Sequence, residues 1–139
     1  MRYALLIFLA LGAFAQDLKS IRDEPNPERR SELALDNANN AIDTAEDAYK
    51  AGQIEKMQAA LTEVADSVEL SYESLSASGK NPRRDKGFKK AEQRTREMLR
   101  RLDGFHQMVD FDLRPSVEKV RDRVAAVNDN LLNGIMKKK

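Results

Sequence analysis

Four stretches of this chain space their apolar residues by alternating steps of three and four, and that spacing constrains them to helices that each bury one face. The stripes read Leu35, Ala38, Ile42, Ala45, Tyr49; then Ile54, Met57, Leu61, Val64, Val68, Ser71, Leu75; then Phe88, Ala91, Thr95, Met98, Leu102, Phe105, Val109; and last Leu113, Val117, Val120, Val124, Val127, Leu131. Residues three and four apart share a helix face, so each stripe is a seam to be covered. Punctuation agrees with the stripes. Asn26 is a good N-cap with Pro27 at the first helical position, Gly52 and Gly79 stand where helices stop, and Pro115 is tolerated in a first turn. The expected helices run over about 27–51, 53–77, 84–109 and 113–135.

The connections are short, so consecutive helices are expected to lie antiparallel and side by side. The stripes allow a test, because facing residue numbers across an antiparallel pair must keep a nearly constant sum. They do so to within one for all three consecutive pairs. The resulting layers are Tyr49, Ile54, Val109, Leu113; then Ala45, Met57, Phe105, Val117; then Ile42, Leu61, Leu102, Val120; then Ala38, Val64, Met98, Val124. Small alanines of the first helix meet large residues of the others, the alternation that fills a core without voids. The fold class expected is all-α: an antiparallel up-down-up-down four-helix bundle over 27–139, in which the third helix lies beside the second. Its layers weaken at one end, where Ser31, Ser71, Ala91 and Thr95 fall in the stripes. Tyr72, Leu132 and Ile135, or Leu18 and Ile21, are the residues available to fill that end; otherwise it is a small pocket.

The segment before the bundle has a different character. Residues 1–15, "MRYALLIFLALGAFA", join one Arg to an uncharged apolar run and end in the small-x-small pattern Ala13-Phe14-Ala15. That is the grammar of a cleaved signal peptide, with cleavage before Gln16 and a short polar leader over 16–26. The apolar run is shorter than a membrane span requires, so no transmembrane segment is expected after cleavage. The expected location is periplasmic or extracellular, in a bacterial context. The chain has no Cys, so in an oxidising compartment it must rely on its packed core instead of disulfides.

Charge narrows the function. The chain carries 24 Lys and Arg against 23 Asp and Glu, and removal of Arg2 balances them, which argues against collecting nucleic acid by net charge. The distribution is uneven, however. From Lys80 to Arg101 there are ten basic residues and three acidic ones, whereas Glu32 to Leu75 holds ten acidic and two basic. One reading is a solvated helix face whose charges pair within the molecule. The other is an anionic envelope component or protein partner held by Lys80, Arg83, Arg84, Lys86, Lys89 and Lys90 at one end of the bundle.

Chemistry is harder to find. His106 is the only histidine; with Asp103 it forms half of a carboxylate-bridged metal motif, and the second histidine that motif needs is missing, so no metal is assigned. Paired with core Met57 or Met98 it is instead the weak cofactor candidate of a haem carrier, although no C-x-x-C-H is present for covalent haem. The acids Asp43, Glu46 and Asp47 are expected on a solvated face. No nucleophilic Cys, G-x-S-x-G, H-E-x-x-H or phosphate-binding Gly loop appears. The reading is therefore an exported, non-catalytic interaction or structural module without a cofactor. The alternatives are a small-ligand or haem carrier of the periplasmic cytochrome-like kind and, below it, an enzyme with no recognised motif.

Overall fold

The computed structural model describes residues 18–137. The expected signal peptide, 1–15, lies outside the described residues, as do Gln16, Asp17, Lys138 and Lys139. Every regular element among the described residues is helical. The four long helices are α1 (Pro27–Lys50), α2 (Ile54–Ala77), α3 (Lys86–Met108) and α4 (Arg114–Met136), with a single 3-10 turn, Phe111–Leu113, before α4. Residues 18–22 form a further short helical stretch.

The ends follow from the residues that make them. Asn26 Oδ1 accepts from the backbone N–H groups of Glu28 (3.0 Å) and Arg29 (3.3 Å), satisfying donors that the first turn of α1 leaves free. At the other end Gly52 has φ 75°, which lets Gln53 N donate to Ala48 O and Gly52 N to Tyr49 O, closing the last carbonyls in a Schellman turn. The start of α3 falls two residues after the expected 84. Arg84 N and Asp85 N both donate to Asn81 O, so 81–85 is a turn of its own and Asp85 caps the helix through Gly87 N (3.0 Å).

The residues of the three inner expected layers are all buried. Ala45, Met57, Phe105 and Val117, then Ile42, Leu61, Leu102 and Val120, then Ala38, Val64, Met98 and Val124 all lie in one core cluster. Val64 and Met98, at 0% and 1% exposure, share one cluster. Tyr49, Ile54 and Leu113 are only half-buried at the rim. There the Tyr49 ring meets Phe105 edge-on, and its hydroxyl accepts from Asp110 N (3.1 Å), pinning the corner that leads into α4.

The order of the helices around the core differs from expectation. α1 packs against α2 and α3, and α4 against α3 and α2. α2 and α3 are diagonal, meeting only sparsely across the centre, and α1 and α4 have no close backbone approach. The third helix therefore does not lie beside the second; it lies beside the first. The physical reason is visible in the cross-links. Arg94 pairs with Asp36 (2.7 Å) and Arg101 with Asp43 and Glu46, so the basic helix sits against acidic α1. Arg123 of α4 takes the acids of α2, Asp66 at 2.7 Å and Glu69 at 2.6 Å. Glu69, whose carboxylate accepts from this guanidinium, raises its pKa well above the ordinary arginine value.

The weakly apolar end is closed largely by hydrogen bonds. Ser31 and Ser71 hydroxyls meet at 2.7 Å, Arg30 Nε donates to Ser74 Oγ (2.8 Å), and Asn128 Nδ2 donates to Thr95 Oγ1 (2.8 Å) and Glu92 O (3.0 Å). Tyr72 and Ile135 pack against the core as expected, while Leu132 stays exposed. Leu18 and Ile21 cover a different place, joining Ala34, Leu70 and Leu33 in a separate apolar cluster on the outer side of the α1–α2 seam. Part of the leader is thus packed onto the bundle.

Candidate functional site

The basic stretch divides in two. Along the body of α3 most of its charges are taken up internally: Arg94 and Arg101 by α1, and Arg96 by Glu92 one turn back at 3.6 Å, while exposed Arg100 has no carboxylate partner among the described residues. Asp43 and Glu46, expected to be merely solvated, are the partners of Arg101. At the start of α3 the balance changes. Lys80 pairs with Glu28 at 2.5 Å, and that carboxylate raises the ammonium pKa through a hydrogen bond and its charge. Arg83, Arg84, Lys86, Lys89 and Lys90 are exposed and have no carboxylate partner among the described residues. Of the six residues singled out from sequence, five are free to meet an outside anion and one is engaged.

Local structure gathers these five. Gly79 has φ 73°, which reverses the chain after α2. Asn81 Oδ1 accepts from Arg83 N (3.0 Å), fixing the turn that presents Arg83 and Arg84. A Cβ on Gly87 would lie 2.8 Å from Asp85 Oδ2, so the glycine lets the cap close tightly and start α3 here. The N-terminal end of a helix carries partial positive charge, which adds to that of Lys86, Lys89 and Lys90. Pro82 rests on Gly134 of α4, where a Cβ would come within 3.3 Å of the proline ring. One pole of the molecule thereby combines the 78–85 loop, the start of α3 and the end of α4.

Between α1 and α3 at this pole runs a groove of about 550 Å³. Arg84, Lys86 and Lys90 line one wall, Glu28 and Glu32 the other, and Leu75 contributes to its lining. An anion inside it would meet two carboxylates. The outward surface of the pole, where Arg83 and Lys89 stand, offers positive charge with less opposition.

His106 is half-buried, as its place beside Phe105 suggested, and its Nε2 lies 2.8 Å from Glu118 Oε1 on α4. An iron or metal ion at that nitrogen would first have to displace the carboxylate. Asp103 faces outward to Arg121 (3.3 Å). Among the described residues no three His, Asp or Glu side chains converge in a way that would hold a metal ion, and no helix is long and apolar enough to cross a membrane.

Sequence reading passed over the buried polar residues Asn37, Glu92 and Asn128. Asn37 donates to Ser67 (2.9 Å) and Glu63 (3.1 Å) in the α1–α2 seam. Each stands next to a stripe residue, Asn37 before Ala38, Glu92 after Ala91 and Asn128 after Val127, which was the available signal. In comparisons with family models, with curated proteins and with solved structures, nothing matches this chain.

Proposed function

We propose that this chain is an exported, non-catalytic interaction module of the cell envelope, whose basic pole docks on an anionic partner. The observation that carries the reading is the contrast within one basic stretch: Arg94 and Arg101 are neutralised by α1, whereas Arg83, Arg84, Lys86, Lys89 and Lys90 are left without partners among the described residues. A solvated helix face would account for the first group and gives no reason for the second to be gathered at one end.

The scaffold in this reading is an up-down-up-down bundle. Bonded partners in α2 fall in number as those in α1 rise, from Arg30–Ser74 to Asn37–Ser67, which fits antiparallel packing. The α3–α4 bonds Asn128–Thr95 and Arg121–Asp103 follow the same rule. Arg94–Asp36 and Arg101–Asp43 both span 58 residues, which fits α1 and α3 running in the same direction. Export rests on the signal-like residues 1–15 and their Ala13-Phe14-Ala15 end.

The test is capture of envelope components by the processed chain and by a variant with Arg83, Arg84, Lys89 and Lys90 changed to Glu. The native chain should retain an anionic component that raised salt releases, the variant should lose it, and the processed chain should begin at Gln16. Equal capture by both proteins would remove the basic pole from the function. A second reading, a small-ligand carrier, has the α1–α3 groove as its support; it requires a ligand that raises the melting temperature of the purified chain.

A further inference from the structure

Building on that reading, we infer that the anionic partner is a lipid bilayer surface, met end-on by the basic pole with Met136 entering the apolar layer beneath the headgroups. The contact between Gly134 and Pro82 carries the last residues of α4 to the basic loop. Ile135 turns partly into the core, while Met136 is 67% exposed and Lys137 is exposed beside it. One exposed apolar side chain means little alone. Here it shares a pole with five basic side chains that lack an internal partner, and its unbranched thioether is flexible enough to enter an irregular medium.

That pairing favours a bilayer over a dissolved polyanion. A soluble polymer offers phosphates or carboxylates and nothing for Met136 to enter. A bilayer supplies anionic headgroups with an apolar layer directly below, and interfacial binding grows with both terms. Of the carboxylates near the pole, Asp85 accepts from Gly87 N and Glu28 is held by Lys80, while Glu32 lines the α1–α3 groove and not the outward surface where Arg83 and Lys89 stand. The opposite pole is less suited. Phe111, 79% exposed, and Met108, 44% exposed, form a larger apolar tip, but Asp110 and Asp112 flank Phe111 and are exposed. An anionic surface would repel them. That end also carries Lys50 and Arg114 without a carboxylate partner among the described residues, but the acids beside its apolar tip offset them. The basic pole gathers five such side chains, so it is the end that should meet the membrane, with the bundle axis standing up from it.

The experiment is co-sedimentation of the processed chain with phosphatidylcholine vesicles, with and without phosphatidylglycerol, alongside binding to soluble polyphosphate. The readout is the affinity for each vesicle type, compared between variants, so that any segment common to all of them cancels. Neutralising Arg83→Gln with Arg84→Gln should lower anionic-vesicle affinity roughly twenty-five-fold, at about fivefold per basic residue. Met136→Ser should lower it about fivefold and leave polyphosphate binding as it was. Phe111→Ser should change neither. All three sites are exposed, and unchanged thermal melts would show that the fold is kept. Polyphosphate binding that Arg83→Gln/Arg84→Gln abolishes, with vesicle binding absent or indifferent to Met136→Ser, would overturn the bilayer and leave the basic pole in place. Binding to neither probe would overturn both.

Discussion

Ser31 and Ser71 illustrate how a polar residue occupies a core position. Each falls on an otherwise apolar face, each is buried, and their hydroxyls meet at 2.7 Å. A buried hydroxyl without a partner costs about 1–3 kcal/mol, whereas removing both partners of a bond is far milder. Ser71→Ala or Ser31→Ala alone should therefore destabilise the bundle by about 1 kcal/mol, a little less if the survivor turns to a carbonyl of its own helix. The double substitution should cost clearly less than the two singles added, as read from urea midpoints. Strict additivity would mean that the hydroxyls do not depend on each other. Residue types at these positions were readable; the pairing was not, since Ser31 and Ser71 are brought together only when α1 packs on α2.

At the scale of the element the sequence was nearly sufficient. Asn26 with Pro27, Gly52, Gly79 and Pro115 all mark boundaries that the helices observe within a residue or two. These signals are local because a cap is satisfied by atoms two to four residues away. The one displaced boundary, at Lys86, arose where Asn81 and Asp85 offered competing turns. Glycines separate into two kinds. Gly52 has positive φ and open surroundings, so its backbone alone requires glycine there. Gly104 lies within α3, and a Cβ added to it would meet open space. Gly104→Ala should stabilise the protein by about 0.5–1 kcal/mol, because alanine restricts the unfolded chain and fits the helix. A rise in melting temperature is the expected readout, and a fall would show that α3 is not helical through this position in solution.

For the whole molecule the question is which helix occupies which corner. α3 rests against α1 through Arg94–Asp36 and Arg101–Asp43, and α4 against α2 through Arg123. Cysteines in place of Asp36 and Arg94 should be joined readily by a short bifunctional reagent. Cysteines replacing Thr62 and Arg100, which would face each other if α2 and α3 were neighbours, should not. Because the exchanged groups lie at the surface, stability should fall by no more than about 1 kcal/mol. The reverse cross-linking pattern would restore the simple sequential bundle. The same arrangement explains why the basic stretch has two fates. Arg94 and Arg101 lie along α1 and pair with its acids, whereas of the first residues only Lys80 does so, with Glu28.

The sequence by itself determined the number of long helices, where they end and which face of each is buried. Periodicity and caps are local properties, and short connections hold consecutive helices at one height. A buried face, however, looks the same for neighbours and for diagonal partners: Val64 and Met98 would share one core cluster in either case. Only the tertiary structure decided the corners, because that choice depends on long-range charge complementarity and on the 78–85 connection, the longest of the three, which lets the chain cross the end of the bundle. It also decided which basic side chains were left without a partner, and that selection defines the pole on which the proposed function rests.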